Sequence, residues 1–283
     1  MKINQIKNLF LVIVFTLISS ACAQFQYKHE DIMIFKKWIT ENNNIEIYKI
    51  MDKRSNCYLV IKNEYYVLID TSIDYEKEML LDNLKKLNVE KLNYIMQTHS
   101  HFDHTGNTQY LQEYFKCNVF IHSSEVRYLN EGYSYLPKGT IWITKLFTTI
   151  VGNKIMNFQR YQGCPIDVIF GEITICNDFL NILNIQLLHT PGHTSGSVSF
   201  IIDNEIAVVG DTMVNKNGNI FPPFADFPEL LPEAWKNLLD TNCRIFLPSH
   251  GNEINRNLLE IKYYDLIKNR LVRQPHINHV FQN

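Results

Sequence analysis

Residues 98–106 read "THSHFDHTG", which puts three histidines and an aspartate into six consecutive positions. Histidine and aspartate fill a core poorly, so a cluster this dense needs a partner that satisfies it. A metal ion is such a partner. His99 and His101 are two apart at the end of the strand-like run "LNYIMQT" (92–98). An extended backbone turns both imidazoles to one side, where two nitrogens reach one ion at about 2.1 Å. Asp103 and His104 follow at once. The four groups are too close in sequence to surround a single tetrahedral ion without strain, so the loop is expected to serve two neighbouring ions that draw further ligands from elsewhere.

Three later stretches offer them, each at the end of an apparent strand. "HTPGHTSGS" (189–197) presents His193 in a tight turn, "VVGDT" (208–212) presents Asp211, and "FLPSHG" (246–251) presents His250. Turns at strand ends are where a rigid scaffold offers side chains to a site. A lone histidine there is usually a satisfied or surface residue. All of these in this order make that reading untenable.

The rest of the chain alternates strand and helix patterns. "EIYKIM", "CYLVIK" and "YYVLID" are short, close together and rich in β-branched and aromatic residues, which predicts a meander of strands. "YEKEMLLDNLKKL" carries apolar residues at helical spacing. "NIQLLHT", "SVSFII", "EIAVVGD" and "RIFLPSH" predict further strands, with helices in "PEAWKNLLDT" and "LLEIKYYDLIKNRL". With no repeat or linker, residues 24–283 are expected to form a single mixed α/β domain.

The set H-x-H-x-D-H, His193 in its P-G-H-T-S-G turn, Asp211 and His250 resembles the metal signature of the metallo-β-lactamase fold superfamily of hydrolases. The similarity runs from about "SNCYLV" to "SHG", most of the chain. It implies a four-layer α/β/β/α sandwich with the site at one edge of the paired sheets. It also implies that His99, His101 and His193 hold one ion, that Asp103, His104 and His250 hold the other, and that Asp211 bridges them. Imidazoles with a few carboxylates suit two Zn²⁺, and the same donors accept Fe or Mn. A carboxylate at 211, where some lactamases of the superfamily place a thiolate, leans toward the glyoxalase II and lactonase branches.

Two adjacent cations activate a water between them and polarise a carbonyl, so the expected reaction is hydrolysis of an ester, lactone, thioester or lactam in a small molecule, with Asp103 guiding a proton to the leaving group. Asp103 and Asp211 are thus the catalytic candidates. Serine nucleophiles are not needed, and Ser100, Ser195 and Ser249 read as small turn residues. Asp70, closing "YYVLID", either hydrogen-bonds the metal loop or caps "TSIDYE". His122 and His189 read as structural. The segment around Trp142 and Phe147 either roofs the site for an acyl or aromatic group or packs on the sandwich. Phe221, Phe224 and Phe227 either line a pocket or pack a Pro-stiffened loop.

Charge excludes some classes. Lys and Arg number 27 against 29 Asp and Glu, without the basic excess of a nucleic-acid binder. Residues 1–23 begin with Lys2 and Lys7, run apolar from Leu9 to Ile18 and end in small residues, the order of an export signal. Ala21-Cys22-Ala23 fits a cleavage site, while "SSAC" resembles a lipobox that would put a lipid on Cys22. The protein is therefore expected in the periplasm or anchored at the cell envelope. Cys57, Cys117, Cys164, Cys176 and Cys243 show no CxxC spacing and predict no disulfide framework. Only 33 residues follow His250, which leaves out the helical domain of glyoxalase II and argues against a glutathione thioester. The order of preference is lactone or ester cleavage, then β-lactam cleavage. Two other classes stand behind them, persulfide oxidation at a single iron and a non-catalytic ligand-binding surface protein.

Overall fold

The computed structural model describes residues 35–151, 160–170 and 177–273. The expected export signal, Cys22 and Cys176 lie outside the described residues. Four strands, β1 (Lys36–Ile39), β2 (Glu46–Met51), β3 (Cys57–Lys62) and β4 (Tyr65–Ile69), pair antiparallel in chain order. Then β5 (Tyr94–Met96), β6 (Asn118–His122) and β7 (Val168–Phe170) join in parallel, completing a seven-stranded sheet. Parallel neighbours need crossovers, and the helices Lys77–Lys86 and Thr108–Phe115 supply the first two.

The second sheet holds β8 (Ile185–His189), β9 (Val198–Ile202), β10 (Ile206–Gly210), β11 (Ile245–Pro248) and β12 (Ile254–Asn255), in the order β12-β11-β10-β9-β8. Its one parallel pair, β10 with β11, is bridged by the helix Leu231–Leu239.

Side chains alternate along strands, and the alternation sorts them into layers. Tyr58, Val60, Val67, Ile69, Met96 and Phe120 of the first sheet meet Phe200, Ile202, Val208 and Leu247 of the second in one buried cluster. Their neighbours Leu59, Leu68, Ile95 and Val119 face the other way and pack with Leu80, Leu81 and Leu84 of the first crossover helix. On the far side Ala207, Val209 and Phe246 pack with Trp235 and Leu238, and with Leu259 of the helix Arg256–Arg273. This is the expected α/β/β/α sandwich. Burying each Leu, Ile, Val or Phe contributes roughly 1.5–3 kcal/mol relative to leaving it exposed.

The layering also positions the chemistry. The chain passes from β4 into Asp70, from β5 into the histidine loop, from β10 into Asp211 and from β11 into His250, while the β8–β9 turn carries His193. Side chains from both sheets thus collect at one end of the sandwich.

Candidate metal centre

The loop after β5 begins as a strand and then tightens. Gln97 still donates its N–H to the Phe120 carbonyl at 2.9 Å, and the Thr98 carbonyl accepts from Val198 of the other sheet at 3.0 Å. His101 then precedes the short helix Phe102–Thr105, which carries Asp103 and His104. The His101 Nδ1 lies 3.0 Å from His99 Nε2 and 2.9 Å from His193 Nε2, so three imidazole nitrogens from two loops converge. All three rings are buried.

A second group forms alongside. Asp103, His104 and His250 bring their ligand atoms within 4.8 Å of one another. Asp211 stands between the two groups. Its Oδ2 is 3.5 Å from His193 Nε2 in the first group, and 3.6 Å from His104 Nε2 and 3.5 Å from His250 Nε2 in the second. The preceding Gly210 has φ 54°, and a Cβ there would lie 2.8 Å from the Cβ of Thr98. Glycine lets β10 turn at that point and deliver the carboxylate.

The donors fit metal ions. His193 Nδ1 donates to the Phe224 carbonyl at 2.9 Å and His104 Nδ1 donates to Asp70 Oδ2 at 2.9 Å, which turns both Nε2 atoms toward Asp211. His99 Nδ1 donates to Thr98 Oγ1 at 3.1 Å, so its Nε2 is a lone pair. Among the described residues His101 Nε2, His104 Nε2 and Asp211 Oδ1 are buried with no hydrogen-bond partner. Burial, and then the neighbouring imidazoles, hold His99 and His101 well below the usual histidine pKa, which favours the neutral form of these two rings. Burial opposes charge on His104, yet Asp211, Asp103 and Asp70 outweigh it and hold its pKa well above the ordinary value. His250 is raised likewise, against burial, by Asp211 and Asp103. Burial also works against an ionised Asp211, but His250, His104 and His193 keep its carboxyl well below the usual range. The facing imidazole nitrogens of the first group and the positive charge that Asp211 draws onto the imidazoles of the second both mark a place that a metal cation would satisfy.

The sequence pattern of the metallo-beta-lactamase superfamily matches residues 51–250, which include every one of these side chains. The chain belongs to that superfamily. It is 30% identical over 159 residues to a probable metallo-hydrolase of Methanocaldococcus jannaschii, covering 56% of this chain and 67% of that one. A hydroxyacylglutathione hydrolase of Haemophilus influenzae is 27% identical over 222 residues, 74% of this chain and 91% of its own. The crystal structure of the B3 metallo-beta-lactamase BLEG-1 superposes with a TM-score of 0.57 at 19% identity, covering 80% of this chain and 95% of that one, a likeness of fold. The expectation of a metal-dependent hydrolase of this superfamily therefore holds.

Beneath the candidate ligands lie two buried carboxylates. Asp70, in a left-handed conformation with φ 60°, accepts from the Thr98 N–H at 2.9 Å, Thr98 Oγ1 at 2.8 Å, His104 Nδ1 and Ser249 Oγ at 3.1 Å. It ties the β5 and β11 loops together, whereas the turn after it is capped from Ile73 without a side-chain bond. The other carboxylate, Glu125, escapes the sequence reading. Its Oε2 accepts from the N–H of Ser100 at 3.1 Å and from the Ser100 hydroxyl, and its Oε1 accepts from the Gly196 N–H at 3.0 Å. Ser100 sits between two ligands and Gly196 closes the turn of the third, so Glu125 spans the loops of the first group. A Cβ at Gly196 would come within 2.5 Å of Glu125 Cγ, so only glycine leaves room for this bond. The sole sequence signal is an acidic residue just after β6.

The remaining candidates fall outside the two groups. His122 and His189 stack on each other, 4.5 Å apart and 9° from parallel. The thiols of Cys57, Cys117, Cys164 and Cys243 are free and buried. Phe221 packs on Trp235, Phe224 contributes its carbonyl to His193, and Phe227 is 37% exposed. The Trp142 segment forms the helix Trp142–Val151. It hangs on the Phe224 loop, where Thr140 Oγ1 and Thr144 Oγ1 donate to the carbonyls of Pro222 and Pro223 at 2.6 and 2.7 Å.

Proposed function

We propose that this superfamily member is an exported hydrolase that uses two metal ions to cleave an ester, lactone or related carbonyl bond in a small molecule. The observation that carries the reading is the placement of Asp211 Oδ2, 3.5–3.6 Å from imidazole nitrogens of both ligand groups. His99, His101 and His193 would hold one ion, Asp103, His104 and His250 the other, and Asp211 both. Zinc is the first choice for so many imidazoles, with iron or manganese compatible. When bound, the pair supplies Lewis acidity toward a carbonyl oxygen and a nucleophilic water near neutral pH.

The chain's own residues account for the rest. Asp70 and the Phe224 carbonyl fix the tautomers of His104 and His193, so the ligand lone pairs are set before substrate arrives. Glu125 holds the loops of the first group in register. His250 and Asp103 are the partly exposed members of the site, with side-chain exposures of 31% and 15%, and so mark the side from which substrate enters. Asp103 is the carboxylate on that open side, placed to pass a proton to a leaving group. Tyr135 stands edge-on to His101, with ring centres 6.1 Å apart.

The test pairs metal analysis with a substrate panel of lactones, aryl esters, thioesters and a chromogenic β-lactam, each assayed with Asp211→Ala beside the parent. The Haemophilus influenzae relative, named for a glutathione thioester, is spanned by this chain over 91% of its length. The case against thioesters from a missing helical domain therefore does not apply to such a relative. Two ions per chain and turnover lost in the variant support the reading. One iron with sulfur oxidation, or a metal-loaded protein inert to the whole panel, would overturn it.

A further inference from the structure

The helix Trp142–Val151 is amphipathic the wrong way round for a protein surrounded by water. At roughly 100° per residue, Trp142, Leu146, Ile150 and Ile143 fall within one arc of about 100°, while Thr144 and Thr148 lie on the opposite side. The threonines face the protein: Thr144 Oγ1 donates to the Pro223 carbonyl at 2.7 Å, and Thr148 Oγ1 accepts from the Gly139 N–H at 3.4 Å. The apolar arc faces out, with Trp142 76%, Ile143 53%, Leu146 49% and Ile150 55% exposed, and Ile141 just before it at 45%. None of these residues belongs to the buried clusters of the sandwich. A contiguous apolar surface of this kind needs a partner.

Charge identifies the partner. From residue 132 to residue 166 the sequence holds Lys138, Lys145, Lys154 and Arg160 and no aspartate or glutamate. Lys138 and Lys145 are exposed, and Lys145 flanks Trp142 on the helix surface. An apolar stripe edged by lysines, with a tryptophan at its end, is the chemistry of a helix lying in a membrane interface. We infer that this helix docks the protein onto an anionic lipid surface. The contact is separate from any lipid on Cys22 and independent of the substrate.

The docked face is joined to the metal end by backbone contacts. Ala225 donates its N–H to the Lys138 carbonyl at 2.8 Å, Asp226 donates to the His193 carbonyl at 3.0 Å, and Phe227 donates to the Gly192 carbonyl at 2.9 Å. The exposed Phe227 therefore lies on a loop shared by the lipid-facing helix and the His193 turn.

The test uses the full chain on phosphatidylglycerol vesicles whose acyl chains carry bromine, reading tryptophan fluorescence. Of the three tryptophans, Trp235 is buried and Trp38 partly buried, and subtraction of Trp142→Phe isolates the Trp142 signal. Docking places the helix roughly 5–10 Å into the interface, so Trp142 emission is expected to shift to the blue and be quenched by the bromines. Leu146→Ser with Ile150→Ser, both exposed positions, is expected to abolish the quenching, and high salt to weaken it. An N-terminal tether alone would leave Trp142 open to an aqueous quencher at saturating vesicle concentration, and that result overturns the proposal. So does shielding of Trp142 that needs no vesicles and rises with protein concentration together with a doubled mass, because the face then belongs to a second copy of the chain.

Discussion

The two ligand groups share Asp211 and little else. His99, His101 and His193 form a buried, all-imidazole group in which burial disfavours charge on His99 and His101, and its loops are clasped by Glu125. Asp103, His104 and His250 mix carboxylate with imidazole, open partly to solvent and rest on Asp70. The lesson is one of division. One group is closed and built of imidazoles alone while the other is partly open and mixes carboxylate with imidazole, so under the proposed function the first would retain its ion and the second would meet substrate and solvent.

The comparison breaks most severely at the shared atom. Asp211→Ala should lower kcat/KM on the best substrate by roughly a thousandfold, about 4 kcal/mol of barrier. Metal analysis should show loss from both groups, and an unchanged metal content would show that Asp211 bridges nothing. Asp70→Asn should act mainly on one side, because His104 bonds Asp70 directly while His99 reaches it only through Thr98 Oγ1. It should weaken metal binding by roughly 10- to 100-fold at the group containing His104 and affect the other group less. Cobalt titration followed by absorption would show two steps pulled apart, and an equal weakening of both steps would contradict the division.

Glu125→Gln should disturb the other side. The substitution turns an acceptor toward the Ser100 N–H into a donor, leaving a buried group unsatisfied at a cost of about 1–2 kcal/mol. Urea unfolding should report that loss, and cobalt titration should show the first group weakened while the second holds. The smallest effect concerns His122, which burial and then His189 hold below the usual histidine pKa. The folded state thus binds this proton less readily than the unfolded chain. Stability from this group is present above about pH 6.5 and is lost as pH falls toward the folded value. His122→Gln should flatten the pH dependence of thermal stability across that window, seen as a smaller drop in Tm on acidification.

Local pattern made much of this readable. The meander of β2, β3 and β4 follows from short, closely spaced runs rich in β-branched and aromatic residues, and the helix Lys77–Lys86 from apolar residues at helical spacing. The histidine loop and the three later turns reveal their residues because each sits at a strand end. Shorter elements escape. The helix Thr108–Phe115 has only eight residues and β7 only three, too few for a period to show. Asp70 is half legible: its type and strand-end position suggest two roles, and only its bonds to Thr98, His104 and Ser249 choose between them. Glu125 is invisible because its partners lie 25 and 71 residues away.

The sequence by itself determined the types of the candidate ligands, their spacing along the chain and the strands that carry them, since these depend on neighbours within a few residues. Tertiary structure alone decided that Asp211 lies between two groups, that Asp70 and Glu125 brace different loops, and that the Trp142 helix turns its threonines inward. Each of these outcomes depends on which distant backbone carbonyl or N–H a side chain meets. Periodicity can show that a helix has an apolar side, but only packing decides whether that side faces the core or the outside.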